Sequence, residues 1–364
     1  MTSTANQDKI VLISGINGYI ASQIGLQLLR QGYTVRGTSR SASAKDRLLA
    51  EPYKGYESQY QHYLVPDITL TGAFNGAVQG VHSIIHTASP VDFTLKTVDE
   101  FFDPAIKGVL SILNSALNHA GPQLKSFVLT SSIAAIADKW KNPPDYHYSE
   151  SDWNTSGEAV ARATFTAPVA YGASKAAAEK SMWDWRTQHN LPFAISAINP
   201  GVVTGPPILF PSQPAQLNTT LLPVWNIYAG IATAIPPQIG QATYIDVRDC
   251  AALHVFAALN PERSDGQRYL ATNGKAPPQA IADILRKRYP DRKDIVFGEE
   301  GAGYVRGTYW WVDGEGSAEA KKAYEELGVR RFSGFEESVL DTVEALERRW
   351  PGLAGSEEVK RGVQ

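Results

Sequence analysis

A short apolar, β-branched run, Lys9-Ile-Val-Leu-Ile-Ser14, meets two glycines, Gly15 and Gly18, and then a stretch with apolar residues at helical spacing that runs from Ile20 to Arg30 and stops at Gly32. Strand, glycine turn and helix in that order restrict the possible folds more than any other feature of the chain. The run reads as a buried strand. Gly15 permits a tight turn, and Gly18 lets the backbone come close to a ligand. N–H groups at a helix start have no intrahelical acceptor and can face an anion. This is the context of a dinucleotide fingerprint, here with GxxGxxA spacing, and the small Ala21 allows close packing of helix on strand. Gly15, Asn17, Gly18, Tyr19 and Ile20 are the residues expected at a pyrophosphate. A glycine turn that holds no ligand is the competing reading, and the rest of the chain decides between the two.

The same alternation continues. Strands are expected near residues 9–14, 34–38, 60–65, 83–87, 126–131 and 193–199, and helices near 20–31, 42–50, 73–79, 104–120 and 171–188. Asp103 followed by Pro104 reads as a helix start, with the carboxylate as cap. Alternating strands and helices imply a parallel sheet covered on both faces. Two regions break the pattern. Residues 137–170 contain Pro143-Pro144, and residues 205–240 are rich in proline and scattered aromatics. Both read as loops or short helices over the open end of the sheet, where ligands bind in such folds. The expected fold class is therefore α/β, a Rossmann-type doubly wound parallel sheet with a smaller C-terminal substrate-binding lobe. Residues 8–200 with 242–260 are expected to form the NADP-binding core, 201–241 and 261–350 the lobe, and 351–364 a tail.

The second strand, Thr34-Val-Arg-Gly-Thr-Ser-Arg40, ends where an adenosine ribose lies in such folds. A carboxylate there favours a free 2′-hydroxyl, and an arginine favours a 2′-phosphate. The chain has Arg36 and Arg40 and no acid between Gly32 and Lys45. A guanidinium matches a phosphate in a charge-assisted bidentate pair. The expected cofactor is NADPH/NADP, with Arg40 at the phosphate and Arg36 an ordinary surface charge.

Ser126-Phe-Val-Leu-Thr-Ser-Ser132 is another buried strand that ends in hydroxyls. Such an end can begin a turn, or hold a hydroxyl for a substrate oxygen. Further on, Tyr171-Gly-Ala-Ser-Lys175 places a phenol and an ammonium four residues apart, on one face if the stretch is helical. A nearby cation stabilises a phenolate, so Lys175 is expected to lower the Tyr171 pKa from its reference of about 10. A tyrosine tuned in that way can pass a proton to or from an alcohol oxygen. Tyr and Lys also occur at this spacing on solvated helix faces. The glycine turn and the strand-end serines, in this chain order, favour the chemical reading.

These segments carry a family resemblance. The chain resembles the extended short-chain dehydrogenase/reductases, in particular the fungal ketoreductase and aldehyde-reductase branch that is close to dihydroflavonol and cinnamoyl-CoA reductases and to yeast methylglyoxal reductase. The matching segments are Ser14-Gly-Ile-Asn-Gly-Tyr-Ile-Ala21, Arg36-Gly-Thr-Ser-Arg40, Val65-Pro-Asp-Ile68, His86-Thr-Ala-Ser-Pro90, Val128-Leu-Thr-Ser-Ser132, Tyr171-Gly-Ala-Ser-Lys175, Asn199-Pro-Gly-Val-Val-Thr-Gly205 and Tyr244-Ile-Asp-Val-Arg-Asp249. The resemblance implies that Ser132 is catalytic, that Tyr171 is the proton donor, and that Lys175 holds the nicotinamide ribose. It also implies that Asp67 and Ile68 flank the adenine, that Ala88, Ser89 and Pro90 line the cofactor's path, and that Pro200, Gly201 and Val202 back the nicotinamide ring. The activity it implies is reduction of an aldehyde or ketone to an alcohol. Oxidation of a hydroxysteroid-like alcohol, epimerisation of a nucleotide sugar, or NADP sensing without turnover are the alternatives on the same fold.

Phe93, Trp140, Phe165, Trp225 and Tyr228 are candidates for an apolar substrate wall, which would favour bulky or aromatic carbonyls over small polar ones. Each could instead pack under its own loop. His86, at the end of a buried strand, reads as a hydrogen-bonded core residue. A net charge of −3 gives no basic footprint for nucleic acid. One cysteine, Cys250, precludes an internal disulfide framework and fits a reducing compartment. No apolar run reaches the roughly 18 residues of a membrane span, and the polar start does not read as a secretory signal. The seven histidines show no metal-ligand spacing. The expectation is a cytoplasmic enzyme, monomer or homodimer, that binds a small carbonyl compound and no nucleic acid, membrane or metal.

Overall fold

The computed structural model describes residues 6–89 and 93–356. The strands are β1 (Ile10–Ser14), β2 (Thr34–Ser39), β3 (Tyr60–Leu64), β4 (Ser83–His86), β5 (Ser126–Thr130), β6 (Ala194–Pro200), β7 (Val202–Thr204), β8 (Tyr244–Asp246) and β9 (Arg268–Ala271). The helices are α1 (Tyr19–Arg30), α2 (Ser43–Ala50), α3 (Val98–His119), α4 (Gly157–Ala163), α5 (Ala167–Thr187), α6 (Leu222–Tyr228), α7 (Val247–Leu259), α8 (Pro261–Ser264), α9 (Pro278–Arg288), α10 (Lys321–Leu327) and α11 (Phe335–Arg349). Seven strands form one parallel sheet in the order β3-β2-β1-β4-β5-β6-β9, and β7 and β8 form a separate parallel pair.

The period of two along β1 divides the core. Val11 and Ile13 face a cluster with Ile24 and Leu28 of α1 and Leu253 of α7. Leu12, between them, faces Ile112 of α3 and Met182 of α5. The sheet is thus covered on both faces, which explains why β4, β5 and β6 are buried along their whole length. A third cluster joins α6, α9 and α11 around Trp225, Ile281 and Phe335.

All six expected strands form, and four sequence expectations need correction. Residues 73–79 are turns rather than a helix, because Gly76 interrupts a very short apolar stretch and only one α-type bond, Val78 N–H to the Phe74 carbonyl, forms across it. Helix α3 begins at Val98, not after Asp103. Thr97 and Glu100 form a reciprocal capping box there, and Pro104 sits inside the helix. Residues 202–204 and 244–246 are strands too short to show a period. Finally, β9 lies in the segment expected in the lobe, yet Ala197–Pro200 of β6 pairs with it. The sheet therefore takes its last strand from beyond residue 260.

Two buried histidines make the fold sensitive to acid. His86 bonds Ser14 through Nδ1 at 2.8 Å. His254 bonds Thr130 through Nε2 at 2.8 Å and the Cys250 carbonyl through Nδ1 at 2.7 Å. Burial pushes His86 down to about 3, with Lys175 adding to the effect, and pushes His254 down to about 4. Both stay neutral in the folded state while the unfolded chain takes up protons below 6.5. Stability is therefore complete above pH 6.5 and is lost as the pH falls from there. Between pH 6.5 and about 5 each histidine is expected to remove about 2 kcal/mol. Thermal unfolding of wild type and His254→Gln across that window checks this. The variant should show a clearly shallower pH slope, and equal slopes contradict the assignment.

Candidate active site

Gly15 has φ +68°, and a Cβ added there would come within 3.2 Å of Ala88. The turn it makes brings the β1 end against the β4 end, where the Thr87 and Ala88 N–H groups donate to the Ser14 hydroxyl oxygen at 3.0 Å each. Gly18 caps α1 without a side chain, and the first intrahelical bond runs from the Ser22 N–H to the Gly18 carbonyl. The N–H groups of Tyr19, Ile20 and Ala21 are left over by that geometry. Nothing on the cap competes for them, so the turn suits an anion. The Tyr19 side chain turns away and donates to the Gly205 carbonyl at 2.6 Å. Asn17 is exposed on the same turn. This backbone cradle fits a dinucleotide pyrophosphate.

At the next strand end the two arginines separate. Arg36 is 6 % exposed and donates to Gln61, to the Ala77 carbonyl and to the Gln79 carbonyl at 2.6–2.9 Å. It is a buried structural residue, which corrects the expectation of a surface charge. The cause is that β2 is covered on both sides and all six of its residues are buried. Arg40, just past the strand, is exposed and makes no hydrogen bond or ion pair among the described residues. Asp67 spends its carboxylate on the Thr69 N–H and hydroxyl, while Ile68 fits against Gly108 of α3, where a Cβ would come within 2.9 Å.

Helix α5 carries Tyr171 and Lys175, and the strand end after β5 carries Ser131 and Ser132. Ser132 caps the short 3-10 helix Ile133–Ala135, accepting from the Ala134 N–H at 3.1 Å, and its side chain is close enough to Tyr171 to act on the phenol's pKa. The Lys175 ammonium lies 5.8 Å from the centre of the Tyr171 ring. A cavity of about 10 Å³ joins Ala88, Ser89, Thr130, Ser131 and Lys175. Sequence-distant residues from β4, β5 and α5 thus meet at one point. Pro90 lies outside the described residues. Pro200 ends β6, and Gly201 follows with the Thr243 carbonyl 2.7 Å from where its Cβ would be, so Gly201 and Val202 pass close beneath residue 243.

The electrostatics correct one expectation. Burial pushes the Tyr171 phenol up to about 12, and the Ser132 hydroxyl opposes that rise. The net shift is upward although the Lys175 ammonium is near the ring. Burial also pushes Lys175 down to about 8, with Glu179 pulling the other way. Spacing put the pair on one helix face, but dehydration of both groups outweighs their mutual effect.

Two members of the expected aromatic wall belong to the core instead. Trp225 is 2 % exposed and packs edge-on against Trp350 at 5.7 Å. Tyr228 is buried and donates to Glu347 at 3.0 Å. Both sit on α6, in the cluster with α9 and α11. Phe165 packs against Phe101 at 6.3 Å. Phe93 lies 5.5 Å from the Tyr171 ring and remains partly exposed. Among these residues only Phe93 touches the site. Sequence reasoning did not find Glu179 or Arg268, which lie beneath it.

A doubly wound sheet with a pyrophosphate cradle at β1 and a phenol-hydroxyl-ammonium cluster at the β5 end defines a class, that of nicotinamide-dependent enzymes acting on hydroxyl or carbonyl carbons. The chain belongs to the NAD dependent epimerase/dehydratase family, whose model matches residues 11–271. It is 35% identical to an oxidoreductase of Schizosaccharomyces pombe over 79% of this chain and 84% of that protein. It is 31% identical to the NADPH-dependent methylglyoxal reductase GRE2 of Saccharomyces cerevisiae, covering 92% of this chain and 97% of that one. The crystal structure of Gre2 from Candida albicans in complex with NADPH superposes with a TM-score of 0.80 at 29% identity, covering 93% and 99% of the two chains.

Proposed function

We propose that this protein is an NADPH-dependent carbonyl reductase that converts an aldehyde or ketone to an alcohol. The observation that carries the reading is the convergence of three groups at the β5 end: the Tyr171 phenol, the Ser132 hydroxyl that acts on it, and the Lys175 ammonium 5.8 Å from the centre of the Tyr171 ring. NADPH held at these residues would supply the hydride to the carbonyl carbon. Ser132 and Tyr171 hold the carbonyl oxygen between them. Tyr171 gives that oxygen its proton as negative charge develops there, and the Lys175 ammonium steadies the phenolate that remains. Gly15, Asn17, Gly18, Tyr19 and Ile20 hold the pyrophosphate through backbone groups, and Arg40 takes the 2′-phosphate. Asp67 and Ile68 flank the adenine, Ala88 and Ser89 line the path between, and Pro200, Gly201 and Val202 back the nicotinamide.

The cluster of α6, α9 and α11 is the substrate lobe in this reading. Among the described residues no helix is long and apolar enough to cross a membrane. The lone buried Cys250 fits the cytoplasm as the compartment, and the protein works there as a monomer or homodimer.

Substrate preference rests on Phe93. An aryl carbonyl that stacks on its ring gains about 0.5–1.5 kcal/mol, roughly twofold to tenfold in specificity constant. Phe93→Ala is expected to lower kcat/KM for an aryl ketone by that factor and to leave methylglyoxal nearly unchanged. Steady-state kinetics with both compounds test it, and an equal loss for both removes Phe93 from substrate contact.

A further inference from the structure

Glu179 is one helical turn past Lys175 and two past Tyr171, and its side chain is fully buried. Its two oxygens accept from four residues on four parts of the fold. Ser131 Oγ donates at 2.5 Å, Asn199 Nδ2 at 2.7 Å, Arg268 Nε at 2.5 Å and Trp183 Nε1 at 3.3 Å. Asn199 Nδ2 also reaches the Ser132 carbonyl at 3.2 Å. Arg268 is itself buried, donates to the Glu150 and Asp152 carbonyls, and lies 3.7 Å over the Trp153 ring. One carboxylate therefore ties α5 to the β5 end, to the β6 end and to β9.

An ion pair this deep is not explained by stability, because the cost of dehydrating both charges cancels much of their attraction. Its position suggests another use. We propose that Glu179, clamped by Arg268, is the positioning residue of the active site: it fixes the strand end that carries Ser132 and places a negative charge one turn beneath the Lys175 ammonium. This rests on the carbonyl reductase reading and adds to it. The charged or titratable groups around Lys175 are Tyr171 and Glu179 on its own helix and His86 at the β4 end. Arg268 of β9, with Glu150 and Asp152 in the loop beside it, faces Glu179. Tyr171 and His86 are held neutral by burial near pH 7. Glu179 is the group that opposes the downward push of burial on Lys175. Without its charge the ammonium loses its proton at lower pH, and the support it gives to the Tyr171 phenolate goes with it.

The test uses Glu179→Gln and the double variant Glu179→Gln/Arg268→Met, which removes the Arg268 guanidinium together with its carboxylate partner. In wild type, kcat/KM for NADPH-dependent carbonyl reduction should hold level below Lys175's titration near pH 8 and fall above it. In both variants that alkaline fall should move down by about one pH unit or more. The activity deficit should be roughly fivefold or greater near pH 8, should approach tenfold at higher pH and should shrink toward pH 6. Circular dichroism and thermal unfolding establish that at least the double variant is folded. Lys175 is also titrated directly by nuclear magnetic resonance of isotope-labelled lysine, its signal assigned by its loss in Lys175→Arg. A downward shift of that titration in the double variant supports the proposal. An unchanged titration in the folded variant overturns it. Absence of carbonyl reduction by wild type overturns the functional reading instead, and the lysine titration still decides the role of Glu179.

Discussion

Tyr171→Phe is expected to lower carbonyl reduction by about two to four powers of ten, the range that general acid catalysis supplies. The substitution removes one oxygen. The ring stays, and with it the packing against Phe93 and the Lys175 ammonium over its face. NADPH affinity should change little, since the phosphates are held by the β1 turn and the β2 end. Thermal stability should also change little, because among the described residues the phenol loses at most the Ser132 hydroxyl as a partner, and a typical intramolecular hydrogen bond contributes about 1 kcal/mol net. Kinetics with the best carbonyl substrate, alongside a fluorescence titration of NADPH, separate these effects. Near-normal turnover by the variant means that the proton comes from another group. Lost turnover together with lost cofactor binding means that the ring was structural.

Arg40→Ala is expected to weaken NADPH binding about tenfold to a hundredfold and to leave NADH nearly unaffected. A charge-assisted hydrogen bond contributes roughly 1.5–3 kcal/mol, which sets that factor. The structure narrows the competition for the 2′-phosphate. Arg36 is buried, with its Nε and Nη1 committed to Gln61 and two carbonyls, which leaves it poorly placed for a ligand at the strand end. Lys45 remains, close enough to His62 to help lower its pKa. If Lys45 alone holds the phosphate, Arg40→Ala has no effect and Lys45→Ala has the whole of it. The loss in Arg40→Ala should shrink in high salt, because an exposed ion pair is screened. Equal weakening of NADPH and NADH, or of neither, removes Arg40 from this role.

The parts of the molecule that were legible in the sequence are those set by local rules. The strand, glycine turn and helix at 10–30 follow from apolar period and from two glycines at fixed spacing. The Tyr171–Lys175 face follows from helical geometry. What was not legible depends on partners far away in the chain. Arg36 sits in a strand covered on both faces, so alternation carried no information about its direction. Trp225 and Tyr228 occupy a proline-rich stretch that reads as a loop, and partners far later in the chain, among them Tyr289, Glu347 and Trp350, draw them into a core. Glu179 reads as one more helix charge until Arg268, 89 residues on, is placed against it. Asp103-Pro104 is a sound local start signal, but Thr97 and Glu100 form a complete capping box whose cap lies nearly two turns earlier. The sign of the Tyr171 shift was missed for a related reason: spacing says which groups are neighbours, and burial says which charge state they prefer.

The central claim is that this chain reduces carbonyl compounds with NADPH. Its most direct test is to follow NADPH consumption by the purified protein with a panel that spans aryl aldehydes, aryl ketones and methylglyoxal, and to quantify the alcohol formed. The account predicts turnover with at least one member of the panel, one alcohol formed for each NADPH consumed, and much weaker activity with NADH. A folded protein that binds NADPH tightly and consumes none of it with any carbonyl in the panel would contradict the account and leave a cofactor-binding protein without this chemistry.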